Sequence, residues 1–275
     1  MKPNKNLIFL HIPKNGGTTF HSILERMFPL KNTFTLRLTK NRTTNRDVLV
    51  NLPLPARKKI KLLKGHFPFG LDKYLVGESE YITFLRNPED RIVSYYYYVL
   101  SQPNHDLYPI VKNEEMTIYD FVTKIKRRDV NNAQVRMISG VNNRDEDMLE
   151  KALENVENHF SFIGLVEQFD ESLVLLKEMC SSKTLFYKHL NKRVKTAVKP
   201  GLDKKTREAI AELNSQDVLF YKAMKERFSR ELAKQDNLDD ELEKLYKCNN
   251  LYRFYPINTL RRIKIVIRNG FNFNW

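Results

Sequence analysis

Residues 7–20 read LIFLHIPKNGGTTF, and this stretch limits the fold more than any other. Leu7–Leu10 is a short apolar run suited to a buried strand. A Pro-Lys turn and two glycines follow, and then Phe20, Ile23, Leu24 and Met27 recur at helical spacing as one apolar face. A strand that breaks into a glycine turn and opens a helix is a backbone device for holding a phosphate. The free N–H groups and the positive end of the helix dipole point into the same space. Gly16 and Gly17 permit close backbone approach, Thr18 and Thr19 add hydroxyls, and Lys14 adds a mobile charge. This is not a Walker A loop, whose lysine follows the second glycine; here the lysine precedes both. A plain glycine turn joining strand to helix is the alternative reading of the same residues.

Further along, Ile60–Lys64 leads as a strand into Gly65-His66-Phe67-Pro68-Phe69-Gly70. Tyr81–Leu85 is a second buried strand, closed by Arg86-Asn87-Pro88, and Pro88 suits the first turn of a helix that continues through Ile92, Val93, Tyr96 and Leu100. Helices are expected at 117–127, 131–139, 146–158 and 170–180, and two more between 203 and 234, split near Asn214. Phe162–Leu165 and Leu185–Tyr187 read as short strands. Residues 31–59 read as a long polar connection with at most a short helix, and 101–116 as a loop. Strands alternating with helices predict an α/β fold, a P-loop-like parallel sheet flanked by helices on both faces. Ligands of such sheets sit beyond the C-terminal strand ends. That rule gathers His11–Thr19, Gly65–Gly70 and Arg86–Ser94 on one rim.

The chain carries 47 Lys and Arg against 33 Asp and Glu, a net charge of +14 over 275 residues. Such an excess predicts an anionic partner, whether nucleotide, acidic glycan, nucleic acid or membrane surface. Cys180 and Cys248 are too few for a disulfide framework and read as free thiols. The N-terminal apolar core of about four residues is too short for a signal peptide. No run approaches the ~20 apolar residues that span a bilayer. The expected setting is the cytoplasm. The expected division is one α/β domain over residues 1–235, then a C-terminal helix and basic tail over 236–275. In that tail Arg261, Arg262, Lys264 and Arg268 interleave with Leu260, Ile263, Ile265 and Ile267, a pattern that fits peripheral contact with an anionic membrane or packing on the domain.

The rim segments carry groups suited to phosphate chemistry. Arg86 ends a strand and Ser94 lies two helical turns past Pro88, so a guanidinium and a hydroxyl stand ready for a phosphate monoester, with Ser94 sharing a face with Arg91 and Tyr98. Ordinary solvated positions are the other reading of Arg91 and Ser94. His66, between glycine and phenylalanine at a strand end, suits proton acceptance near neutral pH; a hydrogen-bonded structural histidine is the alternative. His11 and His21 read as structural.

Taken together, these segments resemble sulfotransferases that use 3′-phosphoadenosine 5′-phosphosulfate (PAPS), over roughly residues 5–225. His11-Ile12-Pro13-Lys14-Asn15-Gly16-Gly17-Thr18-Thr19 is similar to their phosphosulfate loop, and Arg86-Asn87-Pro88 through Arg91 and Ser94 to their 3′-phosphate segment. Asn15 and Asn87 stand where the family often has Thr and Asp. The run from Leu85 to Tyr98 looks most like the heparan/uronosyl 2-O branch, and Gly65-His66-Phe67-Pro68 corresponds to the loop bearing that branch's catalytic histidine. Asn132, Gln134 and Arg136 resemble the family's N-x-Q-x-R stretch, and Asn191 through Lys195 its late cofactor-contacting loop. The resemblance implies PAPS as co-substrate, no metal, and in-line transfer to an acceptor hydroxyl, with carbohydrate, including acidic carbohydrate, as the favoured acceptor. It implies His66 as base, Lys14 as charge stabiliser, and a cofactor site of Lys14, Asn15, Gly16, Gly17, Thr18, Thr19, Arg86, Ser94, Asn191 and Lys195.

Two rival functions use the same features. A P-loop-type ATP-dependent kinase shares the strand–loop–helix start but wants a magnesium-binding carboxylate at a strand end, where this chain has Arg86. A non-catalytic polyanion binder would account for the charge, but the basic residues are spread along the chain rather than interleaved with aromatics in a recognisable module, and no nucleic-acid partner is expected.

Overall fold

The computed structural model describes residues 5–37, 45–141, 148–179, 185–188 and 201–253. Chain order begins with β1 (Asn6–Leu10), α1 (Gly17–Met27), β2 (Thr33–Leu36), α2 (Arg46–Val50), α3 (Leu54–Lys58), β3 (Leu62–Gly65) and β4 (Ser79–Leu85). It continues with α4 (Pro88–Leu100), α5 (Tyr108–Asn113), α6 (Ile118–Lys124), α7 (Ala133–Ser139), α8 (Met148–His159) and β5 (Phe160–Leu165). The last helices are α9 (Phe169–Met179), α10 (Lys204–Leu213), α11 (Ser215–Leu232) and α12 (Leu238–Arg253). The five strands form one sheet in the order β2-β3-β1-β4-β5, every pairing parallel.

This is the expected α/β sheet flanked by helices. All residues of β1 and β3 are buried, so both sheet faces are covered there, as a parallel sheet requires. Phe9 and Phe84 meet Phe20 of α1 on one face, each ring pair at 4.8 Å between centroids. On the opposite face Tyr81 packs under Phe69 and Phe160, at 4.8 and 5.2 Å. β1 has β3 on one side and β4 on the other, so the chain reverses its winding direction at β1. That switch point opens a crevice beyond the C-terminal ends of β1 and β4.

Several local expectations are corrected. The connection at 31–59 contains the edge strand β2 and two short helices, and 101–116 contains α5. Leu185–Tyr187 is no strand. Leu185 and Tyr187 are buried because the Tyr187 hydroxyl donates to Asp170 at 2.7 Å and its amide donates to Asn249 of α12 at 2.6 Å. Arg91 is neither solvated nor on the rim. It is 1% exposed, and its Nη1 donates to the Asp129 carbonyl at 3.0 Å. The α4 face bearing Ile92, Tyr95 and Val99 builds a second apolar core with α5, α6 and Ile210 of α10, apart from the sheet core. Asn191, Lys195 and the basic tail beyond Arg253 lie outside the described residues.

Two helix starts meet inside the molecule. The Asp217 carboxylate, in the first turn of α11, accepts from the amides of Gln134 (3.2 Å) and Val135 (2.8 Å) at the start of α7. In return the Asn132 side chain accepts from the Asp217 amide at 3.0 Å, and Asn214 accepts from the Asn132 amide at 3.0 Å. Each helix thus satisfies the other's orphan donors. Burial pushes the Asp217 carboxyl up, while Arg91 and the two amides oppose that rise. Removing this carboxylate would strand Arg91 and two buried amides together. Asp217→Ala is expected to lower stability by about 3–5 kcal/mol in urea denaturation; a loss below about 1 kcal/mol would contradict the capping role.

Candidate active site

The loop after β1 begins with His11, whose amide donates to the Gly65 carbonyl at 2.9 Å and so extends the β1–β3 ladder by one step. The chain then turns through two left-handed residues, Lys14 at φ 72° and Gly16 at φ 70°. A lysine held there costs about 1 kcal/mol relative to an ordinary conformation, a departure that clusters at functional sites. Gly17 opens α1. A Cβ at Gly17 would fall inside the His11 imidazole, Nε2 nearest, so the second glycine makes room for that ring. No side chain caps α1 and no acid stands in its first turn. The start of α4 is the opposite case. The amides of Glu89 and Asp90 already donate to the Asn87 side chain, and those two acids lie in the first turn. Of the two helix starts on this rim, α1 is therefore the one that favours an anion.

Asn15 is 1% exposed and turns inward. Its Nδ2 donates to the Phe84 carbonyl and to Gln134 Oε1, both at 2.8 Å. Gln134, itself wholly buried, accepts from the Arg86 amide at 3.0 Å and donates to the Arg86 carbonyl at 2.9 Å. Arg86 Nη1 donates to the Lys14 carbonyl at 3.1 Å. Lys14 Nζ lies 4.0 Å from the centre of the Tyr98 ring on α4. Ser94 sits one turn before Tyr98, half-buried, on the same helix face. Gly16, Thr18 and Thr19 stand at the open start of α1, with Thr18 exposed.

The β3 segment joins through histidines. His66 Nδ1 is 2.7 Å from the His11 carbonyl, so Nδ1 carries a proton and donates it, which leaves Nε2 as the acceptor nitrogen of the neutral ring. Crowding of the ring's inner edge lowers the His66 pKa below its usual value, and the bond to His11 partly offsets this. The residue is nonetheless solvent-exposed, so water moderates the shift. His11 and His66 rings lie 4.2 Å apart between centroids, and His21 Nε2 is 2.9 Å from His11 Nδ1. Glu25 is committed elsewhere: it pairs at 2.6 Å with Lys64, a β3 lysine that is 3% exposed. Burial lowers the Lys64 pKa, and Glu25 opposes that fall.

The three segments separated in sequence therefore share one rim, linked by the Lys14–Arg86 and His11–His66 contacts. The family model of the galactose-3-O-sulfotransferases matches residues 1–258. The chain belongs to that family. The carbohydrate-sulfotransferase resemblance carried by the loops holds at this level, while the motifs alone leaned to the 2-O branch. No curated protein sequence matches the chain. Among solved structures it is similar to mouse sulfotransferase SULT7A1 complexed with PAP, at 15% identity and a TM-score of 0.39. That likeness covers 78% of this chain, which spans 65% of the length of that one.

Two features of the site escape a reading of the sequence. Gln134 stands out only by motif, and nothing in NNAQVRMISG says that it bonds to both the loop after β1 and the loop after β4. Asp217 lies in a charged helical stretch and has no signal of its own. Among the described residues no group of three or more His, Cys, Asp and Glu side chains is arranged to hold a metal. No described helix is long and apolar enough to cross a membrane. Gly17→Ala is expected to displace His11 and to cost about 1–3 kcal/mol, the range for overpacking a filled site. Thermal denaturation together with the histidine ring resonances checks it, and an unmoved His11 signal would refute it.

Proposed function

We propose that the chain transfers a sulfuryl group from PAPS to a carbohydrate hydroxyl, with the 3-hydroxyl of galactose as the acceptor suggested by the family's description. The observation that carries this reading is the joining of the anion-favouring start of α1 to both other segments through the single stretch His11–Asn15. Its carbonyls receive His66 at one end and Arg86 at the other. The residues fit the nucleotide. An uncapped helix start with no acid suits the 5′-phosphosulfate, and Arg86 with Ser94 suits the additional ribose phosphate that separates PAPS from ATP.

PAPS, when bound, supplies a sulfuryl group on a phosphate leaving group. His66 Nε2 takes the proton of the acceptor hydroxyl as that oxygen bonds to sulfur and the sulfur–oxygen bond to the 5′-phosphate breaks. Lys14 and the α1 amides at Gly17, Thr18 and Thr19 meet the charge growing on the departing oxygen, as electrostatic stabilisers do in phosphoryl transfer. Lys14 reaches that position by leaving the face of Tyr98. Asn15 serves by holding the loop to Phe84 and Gln134. The motif resemblance adds Asn191 and Lys195 as further nucleotide contacts.

Three measurements test this reading. Lys14→Ala and His66→Ala are each expected to lower sulfotransfer to a galactoside by at least ~100-fold. Wild-type turnover in the His66 variant would reject it as base. Calorimetry is expected to show binding of adenosine 3′,5′-bisphosphate in preference to ATP–Mg²⁺, with Arg86→Ala chiefly weakening that binding; the reverse preference would support a kinase. Because the His66 pKa lies below its ordinary value, the base stays unprotonated through neutral pH. The acid limb of kcat/KM is therefore expected below pH ~6.5, and its disappearance in the His66 variant would identify the group.

A further inference from the structure

We propose that His11 is a hydrogen-bond donor to the anion held at the start of α1, presenting its Nε2–H, and that His21 fixes it in that tautomer. The proposal deepens the sulfotransfer reading, on which the identity of the anion rests, and adds a binding residue to the same site. His11 is 9% exposed, and its ring is wedged between Phe9, His21 and His66. Its Nε2 is the atom nearest a Cβ built on Gly17, so it lies against the first residue of α1. The uncapped amides of α1 begin at that residue. No described residue accepts a hydrogen bond from Nε2.

The tautomer follows from bookkeeping of two protons. His11 Nδ1 and His21 Nε2 are 2.9 Å apart, and one of them must donate. His21 Nδ1 is buried with no hydrogen-bond partner among the described residues. A proton on that nitrogen would leave a buried N–H unpaired, whereas a proton on His21 Nε2 leaves only a lone pair, the smaller penalty. His21 Nε2–H therefore donates to His11 Nδ1, and the one proton of the neutral His11 ring sits on Nε2.

The groups facing this pair keep it neutral. Lys14, Lys64, His66 and Arg37 lie around it, and Glu25 is engaged by Lys64. Burial, the nearby lysines and arginine, and the crowding of three imidazoles lower the His11 pKa well below its usual value and bring His21 to about 3. A neutral imidazole donates to an anionic oxygen without adding charge beside Lys14. The adjacent rings His11 and His66 then have opposite tasks: one donates through Nε2, the other accepts through Nε2.

Nitrogen-15 histidine spectra of the full chain at neutral pH test the tautomer directly. The expected result is His11 protonated at Nε2, with that resonance moving when adenosine 3′,5′-bisphosphate is added. Protonation at Nδ1, or an Nε2 signal indifferent to the nucleotide, overturns the proposal. In calorimetry, His11→Phe keeps a flat ring without the donor and is expected to weaken nucleotide binding ~10–100-fold, as for a lost bond to a charged group. His11→Gln, with an amide near the Nε2 position, is expected to recover most of it. Unchanged nucleotide binding in His11→Phe overturns the donor role, and His21→Leu is expected to mix the His11 tautomers. Inorganic sulfate is the second probe. A wild-type chain that binds sulfate but not the nucleotide defeats the sulfotransfer reading, and loss of sulfate binding in His11→Phe upholds the donor independently.

Discussion

One buried carboxamide holds the site together. A parallel sheet delivers the ends of β1, β3 and β4 to the same edge, but it leaves the loops beyond them free to diverge. Gln134 removes that freedom by bonding to the Asn15 side chain and to both backbone groups of Arg86. Each such bond is worth only about 1 kcal/mol net, yet breaking one in a wholly buried setting exposes the full desolvation cost of its partners. The arrangement is consequently stiff. Its rigidity is inherited from further in, where Asp217 anchors the start of α7 and Arg91 balances Asp217. The distance between the α1 amides and the Arg86 guanidinium is thus set by a chain of polar contacts running to α11.

On the rim, charge is distributed so that the start of α1, rather than that of α4, is left for an external anion. The buried cations are already answered from within, Lys64 by Glu25 and Arg91 by Asp217 and Asp129. α4 begins with its own Asn87 cap and two acids, and α7 borrows Asp217. α1 has neither cap nor acid, and Lys14 and Arg86 stand beside it. A net charge of +14 raises the local concentration of any anionic ligand, but the specific placement of these few groups decides where that ligand rests.

The elements legible in the sequence are those in which local pattern and tertiary environment agree. β1 and β4 are apolar runs because they lie at the centre of the sheet, and α4 begins at Asn87-Pro88 because a capping amide and a fixed φ both favour a helix start there. The split of the last charged stretch at Asn214 was readable for the same reason. β2 was hidden because Thr33–Leu36 is an edge strand, three of its four residues only half-buried, within a polar basic stretch. Leu185–Tyr187 is a short apolar run like a buried strand but lies against α9 and α12 without pairing to a described strand. Arg91 misled because a guanidinium beside solvent-facing neighbours reads as surface, whereas Asp129 and Asp217 draw it inward. The gathering of Lys14, His66 and Arg86 on one rim followed from topology alone. The Gln134 and Asp217 links did not, since hydrogen bonds between residues 48 to 119 positions apart leave no mark on either local pattern.

The two apolar cores divide the labour of the molecule. The sheet core fixes β1, α1 and the loops after β1 and β3, whereas the second core is built by α4, α5, α6 and α10. α4 starts at the end of β4 but packs into the second core alone. Its second turn carries Ser94 on the helix face of Tyr98, the ring beside Lys14, and its middle turns carry Tyr95, Tyr96 and Val99 into the helical core. A division of this kind lets α5 and α6 and the turns between them change shape without disturbing the polar chain that runs from Asp217 through Gln134 to Asn15. Tyr98 stands at the junction, its ring face toward Lys14 Nζ and its centroid 5.8 Å from that of the nearly perpendicular His105 ring.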